Sequence, residues 1–265
     1  MNREVPSSES LVTELKLALA VADAADAVSF AGFTARNFSV ERKADKSEVT
    51  EIDRATETAI TKILRAERPL HSVFGEEHGI VGPADAEYQW VIDPIDGTSN
   101  FVRGVPVWAS LIALVHKNVP VLGVVSAPAM KMRWWAHAGG NAFYNGKKIQ
   151  VSEIDSLRHA SLSITTNKGW DDLGASESLM KLQRSVSRVR GYGDFWQHML
   201  VAEGVVDVAI DSIGLAPYDI AALVPIVEQA GGQCSNRLGI SDWRANSLVT
   251  SNKALHAETL SFLPK

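Results

Sequence analysis

The segment that decides the fold is Trp90-Val91-Ile92-Asp93-Pro94-Ile95-Asp96-Gly97-Thr98-Ser99-Asn100. An apolar, strand-forming run delivers Asp93 at its end, and Pro94 is expected to stop the hydrogen-bonded ladder there. Asp96-Gly97 then turns the chain sharply, and Thr98 is suited to open a short helix. Two carboxylates on either side of a rigid proline turn can face one point.

Fixed carboxylate oxygens, with water positions left open around them, are the ligands that hard cations require. The helix start after Gly97 also presents backbone N–H groups that can bind a phosphate. The same residue types are common in ordinary turns, so Asp93 and Asp96 also fit a turn and a helix cap. The choice between the two interpretations depends on further acidic residues elsewhere in the chain.

Such acidic residues occur at matching positions. Glu76-Glu77 follows a strand that ends at Phe74, and Asp219 opens a helix after Ala216-Pro217-Tyr218. Strand ends and helix starts are where functional groups concentrate. Each acid also has a structural alternative, which is a solvated turn for the glutamates and a favourable helix-start charge for Asp219.

Apolar periodicity predicts the elements around these motifs. Thr50 and Asp53, at the start of one helix, fit a capping pair as well as they fit catalysis. Another helix contains Pro225, which should kink it, and stops at Gly231-Gly232. Helices are predicted over 11–28, 50–66, 176–186, 197–203 and 219–230, strands over 72–74, 88–92, 111–116, 121–126, 132–137, 161–165 and 205–210, a polar loop over 41–48 and a hairpin turn at 145–146.

This mixture predicts an α+β architecture with helices layered against sheets. No linker separates an N-terminal α+β half of about 1–155 from a C-terminal α/β half of about 156–265, so residues 1–265 are expected to form one domain.

Composition excludes several classes of protein. The net charge of −5 argues against binding along a nucleic-acid backbone. Cys234 is the only cysteine, which rules out an internal disulfide and a cysteine-based zinc site. The apolar stretches are expected to be too short to span a bilayer, and the polar N-terminus has no signal-peptide core. We expect a cytoplasmic protein without nucleic-acid or membrane partners.

Three motifs resemble the inositol monophosphatase family: Gly75-Glu76-Glu77, the segment 90–98, and Asp219 with the residues up to Gly231-Gly232. They occur in the family's order over nearly the whole chain. The resemblance implies the family's layered α/β/α/β/α sugar-phosphatase-like fold, a small phosphate ester as substrate and a homodimer. It also implies dependence on Mg²⁺, with two ions and a weaker third.

By this resemblance the Mg²⁺ ligands are Glu76, Asp93, Asp96, Asp219 and the Ile95 carbonyl. All-oxygen ligation favours Mg²⁺ over zinc or copper. Metal ions lower the pKa of a bound water and neutralise charge on the reacting oxygens. The resemblance assigns Asp53, Thr98 and Glu76 to catalysis, and Gly97, Thr98, Gly193, Asp194, Phe195, Asp211 and Asp219 to substrate binding.

Residues 100–110 and 189–195 look like the actinobacterial histidinol-phosphate phosphatase branch of that family. A carboxylate at Asp194 suits a cationic alcohol such as histidinol. The alternative is a helix-capping aspartate before Phe195. Asp211 stands where the family has a substrate-contacting glutamate, which leaves the shape of the recognition end open.

The leading expectation is a Mg²⁺-dependent phosphomonoesterase that releases histidinol and inorganic phosphate by attack of a metal-activated water. An alternative is an inositol-1-monophosphatase or another small sugar-phosphate phosphatase, and a third is a bisphosphate or bisphosphonucleotide phosphatase. An alternative of another class is an inactive binding or scaffold protein. Such a scaffold should have lost some of the required acids, and all of them are present.

Overall fold

The computed structural model of the chain describes residues 6–43 and 47–264. Its helices are α1 (Ser8–Ala35), α2 (Glu51–Glu67), α3 (Thr98–Arg103), α4 (Lys168–Asp172), α5 (Ser176–Ser185), α6 (Asp194–Ala202), α7 (Pro217–Ile220), α8 (Leu223–Gln229) and α9 (Lys253–Ser261). Its strands are β1 (Val40–Arg42), β2 (Glu48–Thr50), β3 (Ser72–Gly75), β4 (Gly79–Val81), β5 (Tyr88–Asp96), β6 (Ala109–His116), β7 (Val119–Ala127), β8 (Met132–His137), β9 (Phe143–Tyr144), β10 (Lys147–Lys148), β11 (Ser161–Ile164), β12 (Arg188–Arg190), β13 (Val208–Ile210), β14 (Gly232–Ser235) and β15 (Val249–Asn252).

The described residues form a two-stranded sheet of β1 and β2 and two larger sheets that organise the fold. The larger has the strand order β10-β9-β8-β7-β6-β5-β3-β4 and is antiparallel except for the β3–β5 pair. The smaller has the order β12-β11-β13-β15-β14, in which β11 pairs in parallel with both neighbours. The predicted turn at Asn145-Gly146 joins β9 to β10, and both residues have positive φ, as a tight two-residue hairpin requires.

Successive side chains of the central strand β6 point to opposite faces of the larger sheet. Ile112 and Leu114 pack into a cluster with α1 and α2, whereas Leu111 and Ala113 pack into a cluster with α6 and α8. This is the period of two that a strand buried on both faces requires.

Helices α6 and α8 form the layer shared by both sheets. Helix α8 contacts β7 and β8 on one side and β14 on the other, and α6 contacts β13 and β15. Helices α5 and α9 pack on the outer face of the smaller sheet. The order of layers is therefore α/β/α/β/α, which confirms the predicted α+β fold.

Helix α1 is longer than its apolar pattern predicts. Within the described part of the chain, α1 is long and apolar enough to cross a membrane. The expectation that every apolar stretch is too short to do so is therefore wrong. Leu11, Ala18, Val21 and Ala22 on this helix are fully buried in the cluster that includes α2 and the larger sheet. A core helix meets the same criteria of length and composition.

Strand β5 does not end at Asp93 as the sequence predicts. Its pairing with β6 continues to Asp96, with a register shift between Asp93 and Asp96. Pro94 is accommodated inside this irregularity, where no ladder hydrogen bond is required of it. The prediction that Pro94 terminates the strand is therefore wrong, and the bulge directs both aspartates towards the site.

The helix predicted over 219–230 is two helices. Helix α7 ends at Ile220, and α8 begins at Leu223, so the break precedes Pro225. Pro225 is the third residue of α8, where its missing N–H removes no intrahelical hydrogen bond. The chain stops being helical before Gly231, whose φ of +93° matches the predicted C-terminal stop.

The predicted polar loop over 41–48 is in part a hairpin. Strands β1 and β2 pair antiparallel, with Arg42 opposite Glu48. Residues 44–46 of the predicted loop lie outside the described residues.

Candidate active site

Three acidic side chains converge where the end of β5 meets α7. Asp93 and Asp96 come from the bulged end of β5, and Asp219 comes from α7. One carboxylate oxygen of each lies within 4.8 Å of one oxygen of each of the others. Three oxygen donors at this spacing can hold a divalent cation.

Each of these carboxylates is oriented by one backbone amide. Asp93 Oδ1 accepts from Ile95 N at 2.9 Å, and Asp219 Oδ2 accepts from Ala216 N at 2.7 Å. Asp96 Oδ2 accepts from Phe195 N, the second residue of α6, at 2.8 Å. The fixed orientation is what a small, rigid metal site requires.

The three carboxylates repel one another. Burial raises the pKa of Asp93 and of Asp96 well above the usual range, and the neighbouring acids add to both shifts. Burial raises the pKa of Asp219 to about 7. Buried like charges are costly unless a cation neutralises them, so the donor set fits a divalent metal ion.

Glu76, another predicted metal ligand, forms an ion pair with Lys43. Its Oε1 accepts from Lys43 Nζ at 2.7 Å, and the same ammonium donates to Glu77 Oε1 at 2.7 Å. Burial raises the pKa of Glu76, whereas Lys43 lowers it. Glu76 and Asp93 still interact electrostatically, so Glu76 lies at the edge of the acidic cluster.

The turn that carries Glu76 is held by Glu57 of α2. Glu57 is buried, and its two oxygens accept from Glu77 N at 2.7 Å and His78 N at 3.0 Å. A Cβ at Gly75 would lie 1.9 Å from Glu57 Oε1. Only glycine therefore fits at that position of the Gly75-Glu76-Glu77 motif.

Thr98 and Asp53, predicted to act together on water, are in contact. Thr98 Oγ1 lies 3.2 Å from Asp53 Oδ1 and 2.9 Å from the carbonyl oxygen of Ile95. Asp53 Oδ2 accepts from the amide and hydroxyl of Thr50, so Asp53 is also the partner of the N-cap residue Thr50 in the capping pair that the sequence allows. Burial raises its pKa, which moves it towards the range of a general base.

The start of α3 lies beside this pair. Gly97 has a φ of +82°, and among the described residues no side chain caps the helix. A Cβ at Gly97 would lie 3.0 Å from the carbonyl oxygen of Val107 and 3.4 Å from Asp194 Oδ2. The first turn of α3 can therefore approach a phosphate through its backbone.

Asp194 is the first residue of α6 and has a φ of +48°. It makes no capping hydrogen bond, because Phe195 N donates to Asp96 instead, so the capping alternative for Asp194 finds no support. Asp194 Oδ2 accepts from Asn100 Nδ2 at 2.9 Å. Burial and the nearby Asp211 raise the pKa of Asp194 to about 6.

Comparison with known proteins identifies the family. The profile of the inositol monophosphatase family matches residues 10–264. The chain belongs to the inositol monophosphatase family. Relatives of the chain include histidinol-phosphatases and inositol-1-monophosphatases.

Two curated relatives of this family member are histidinol-phosphatases. The one from Mycobacterium tuberculosis is 44% identical and covers 94% of this chain and 97% of its own. The one from Streptomyces coelicolor is 42% identical and covers 94% and 96%. Among solved structures, the Thermotoga maritima IMPase has a TM-score of 0.84 at 29% identity and covers 94% of this chain and 96% of its own. The chain is a phosphomonoester hydrolase.

Asp211 differs from the other predicted site residues of this inositol monophosphatase family member. Its Oδ1 accepts from Thr165 Oγ1 at 2.8 Å and from Ser212 N at 2.7 Å, and its Oδ2 lies 3.2 Å from His198 Nε2. Burial raises the pKa of Asp211, but hydrogen bonds led by His198 outweigh it and lower the pKa. These bonds fix the carboxylate, and its role in substrate binding stays a prediction.

Sequence reasoning missed four residues that organise the site. The turn that carries Glu76 and Glu77 is held by Glu57 and Lys43. Asn100 contacts Asp194, and His198 contacts Asp211. For Glu57 a signal exists, because it lies one helical turn after Asp53 on the buried face of α2. The other three act through contacts between residues distant in sequence, which local patterns do not show.

Proposed function

We propose that this protein is a Mg²⁺-dependent histidinol-phosphate phosphatase. The observation that carries the proposal is Asp194, a partly buried carboxylate beside the start of α3 that forms no ion pair with a lysine or arginine of the described residues. Histidinol phosphate carries its ammonium group on the carbon next to the ester carbon. A carboxylate for this ammonium must therefore lie next to the phosphate-binding backbone, where Asp194 is found.

We assign Mg²⁺ to Asp93, Asp96, Asp219, Glu76 and the Ile95 carbonyl, as two ions with a weaker third at Glu76. When bound, these ions neutralise charge on the phosphate and lower the pKa of a coordinated water. The proposal is supported by the all-oxygen donors and the mutual repulsion of the buried carboxylates.

The chain's own residues place and deprotonate the nucleophile. The Thr98 hydroxyl accepts from the attacking water and donates to Asp53, whose carboxylate takes up the proton released as the water oxygen bonds to phosphorus. The ester P–O bond breaks, and the leaving alcohol oxygen takes a proton from solvent water. Backbone N–H groups of Gly97 and Thr98 hold the phosphate, and Gly193, Phe195, Asp211 and Asp219 shape the pocket for the alcohol. Support comes from the Thr98–Asp53 contact and from the glycine at the helix start.

A competing function keeps the chemistry and changes the alcohol to inositol or another polyol, since the family includes proteins named for that substrate. A panel of histidinol phosphate, inositol 1-phosphate and fructose 1,6-bisphosphate, assayed with and without EDTA, decides between them. We expect kcat/KM to be highest for histidinol phosphate and activity to vanish in EDTA. Preference for inositol 1-phosphate would overturn the substrate assignment, and full activity in EDTA would overturn the metal mechanism.

We further propose that the enzyme is a homodimer, on the family resemblance, and that it is cytoplasmic, on the sequence pattern. Light scattering of the purified protein tests the dimer, and a mass of one chain, 28.7 kDa, would contradict it. Hydrolysis of any phosphate ester in the panel excludes the inactive scaffold.

A further inference from the structure

One side chain, Asn100, joins helix α3 to the carboxylate of Asp194. Asn100, in α3, donates through Nδ2 to Asp194 Oδ2 at 2.9 Å and to the carbonyl oxygen of Val107 at 2.9 Å. Both partners are acceptors only, so the amide orientation of Asn100 is fixed by chemistry. The NH₂ group must face them.

This contact holds Asp194 in an unusual conformation. A φ of +48° is uncommon for a residue with a side chain, and it follows Gly193 at +76°. Two adjacent residues at the start of α6 are held by hydrogen bonds: Phe195 N donates to Asp96 Oδ2 at the end of β5, and Asn100 of α3 donates to Asp194. Asn100 Nδ2 is the side-chain donor that fixes Asp194 Oδ2 in this conformation.

We propose that Asn100 is a positioning residue that selects the cationic substrate by orienting Asp194. It occupies Oδ2 and thereby leaves Oδ1 for the ammonium of the alcohol. This inference rests on the proposed function, and it adds the residue that sets specificity without itself contacting the reacting atoms.

The test compares two substrates within each variant. Asn100→Ala should lower kcat/KM for histidinol phosphate about tenfold and leave inositol 1-phosphate within about twofold, because a charge-assisted hydrogen bond loses its geometry only with the cationic substrate. Asn100→Asp keeps the size but places a third acid beside Asp194, so its loss should be larger. Ser99→Ala is the matched control, since Ser99 lies in the same helix but is exposed and donates to Glu48.

A double-mutant cycle separates positioning from a general structural role. If Asn100 acts through Asp194, adding Asn100→Ala to Asp194→Asn should change the substrate ratio by less than about twofold. Inhibition by the product alcohol histidinol should weaken in the Asn100→Ala variant, while inhibition by inorganic phosphate should not change. The thermal unfolding midpoint of each variant is measured alongside.

The failures are distinguishable. A wild-type enzyme without preference for histidinol phosphate overturns the proposed function and this inference with it. A preference that Asp194→Asn abolishes but Asn100→Ala leaves intact overturns only the role of Asn100. Equal losses on both substrates in Asn100→Ala, or the same loss in the Asp194→Asn background, assign Asn100 to phosphate binding or folding instead.

Discussion

At the scale of single residues, Asp93 is expected to support turnover and to destabilise the metal-free fold. It is 2% exposed, and its carboxylate faces Glu76, Asp96, Asp219 and Asp53 at the centre of the acidic cluster. A charge that is useful only when a cation is bound destabilises the metal-free protein. The residue most necessary for turnover is therefore expected to be among the least favourable for folding.

Asp93→Asn should abolish turnover and raise the metal-free free energy of unfolding by about 1–2 kcal/mol at pH 8. The asparagine oxygen can still accept from Ile95 N, so the loop is retained. Because the folded pKa of Asp93 is raised, its carboxylate destabilises the fold above the unfolded pKa and has no effect below it. The gain should therefore disappear near pH 4. Urea unfolding in EDTA at both pH values measures this change in the free energy of unfolding, with the exposed Asp172→Asn as control. A lower free energy of unfolding for Asp93→Asn at pH 8 would contradict the interpretation.

Thr98 offers a test of how the water is activated. Thr98→Ala should lower kcat on the order of 10²-fold or more with little change in KM, because only the transition state gains from an activated nucleophile. Thr98→Ser keeps the hydroxyl that contacts Asp53 and should retain most of the activity. Steady-state kinetics of both variants decides the matter. A main effect on KM would make Thr98 a phosphate-binding residue.

At the scale of elements, α2 holds the turn that carries Glu76 and Glu77 through the side chain of Glu57. Glu57→Gln keeps one acceptor oxygen but turns an NH₂ group towards a backbone N–H, so one buried donor loses its partner. We expect a loss of about 1–3 kcal/mol in the free energy of unfolding and weaker Mg²⁺ binding, because Glu76 moves with the turn. Calorimetric titration and urea unfolding measure both. Glu67→Gln, exposed on the same helix, should change neither, and unchanged metal affinity in Glu57→Gln would separate the turn from the site.

A buried histidine ties the last elements of the smaller sheet together. His256 of α9 contacts Ser235 Oγ of β14 and Ser251 Oγ of β15, each at 2.8 Å, and burial lowers its pKa to about 4. The unfolded chain takes up a proton near pH 6.5 and the folded protein does not, so stability falls between pH 6.5 and pH 4. His256→Gln should flatten that decline by up to about 3 kcal/mol, as urea unfolding across the range would show. Parallel curves for wild type and variant would exclude His256 as the source.

Sequence patterns predicted the long elements well and the junctions poorly. Periodicity located α1, α2 and the strands β5 to β8, because each has a continuous apolar face. The bulge in β5 and the break between α7 and α8 were missed, since the pairing with β6 and the packing of α8 between two sheets determine them. Strands β14 and β15 and helix α9 carry mixed polar residues, such as Thr250 and Ser251, whose burial depends on partners distant in sequence.

The same distinction holds for the site. Local motifs pointed to Asp93, Asp96 and Asp219, which the structure brings together, and to Thr98 with Asp53. Residues that act by holding another residue have no local motif of their own.

At the scale of the whole molecule, the site combines residues from the N-terminal and C-terminal parts of the chain. Asp93 and Asp96 belong to the larger sheet. Asp219 belongs to α7, which contacts β5 and α8, and Phe195 belongs to α6, which contacts β13 and β15 of the smaller sheet. A cation held by all three acids therefore links the halves in the folded state and has no equivalent site in the unfolded chain. Metal binding should act on global stability as well as on catalysis.

The link can be measured through the metal-induced change in thermal stability. Mg²⁺ at about 100 times its Kd should stabilise the wild-type protein by about 2.7 kcal/mol, which corresponds to a rise of roughly 5–10 °C in Tm for a chain of this size. Asp219→Asn removes the ligand from the second half and relieves repulsion, so its Tm in EDTA should equal or exceed that of wild type. Its rise with Mg²⁺ should be less than about a third as large. Asp172→Asn, which removes an exposed acid, should respond like wild type. If Asp219→Asn gained the full shift, the ions would be held by the N-terminal half alone, and Asp219 would be left to bind the substrate.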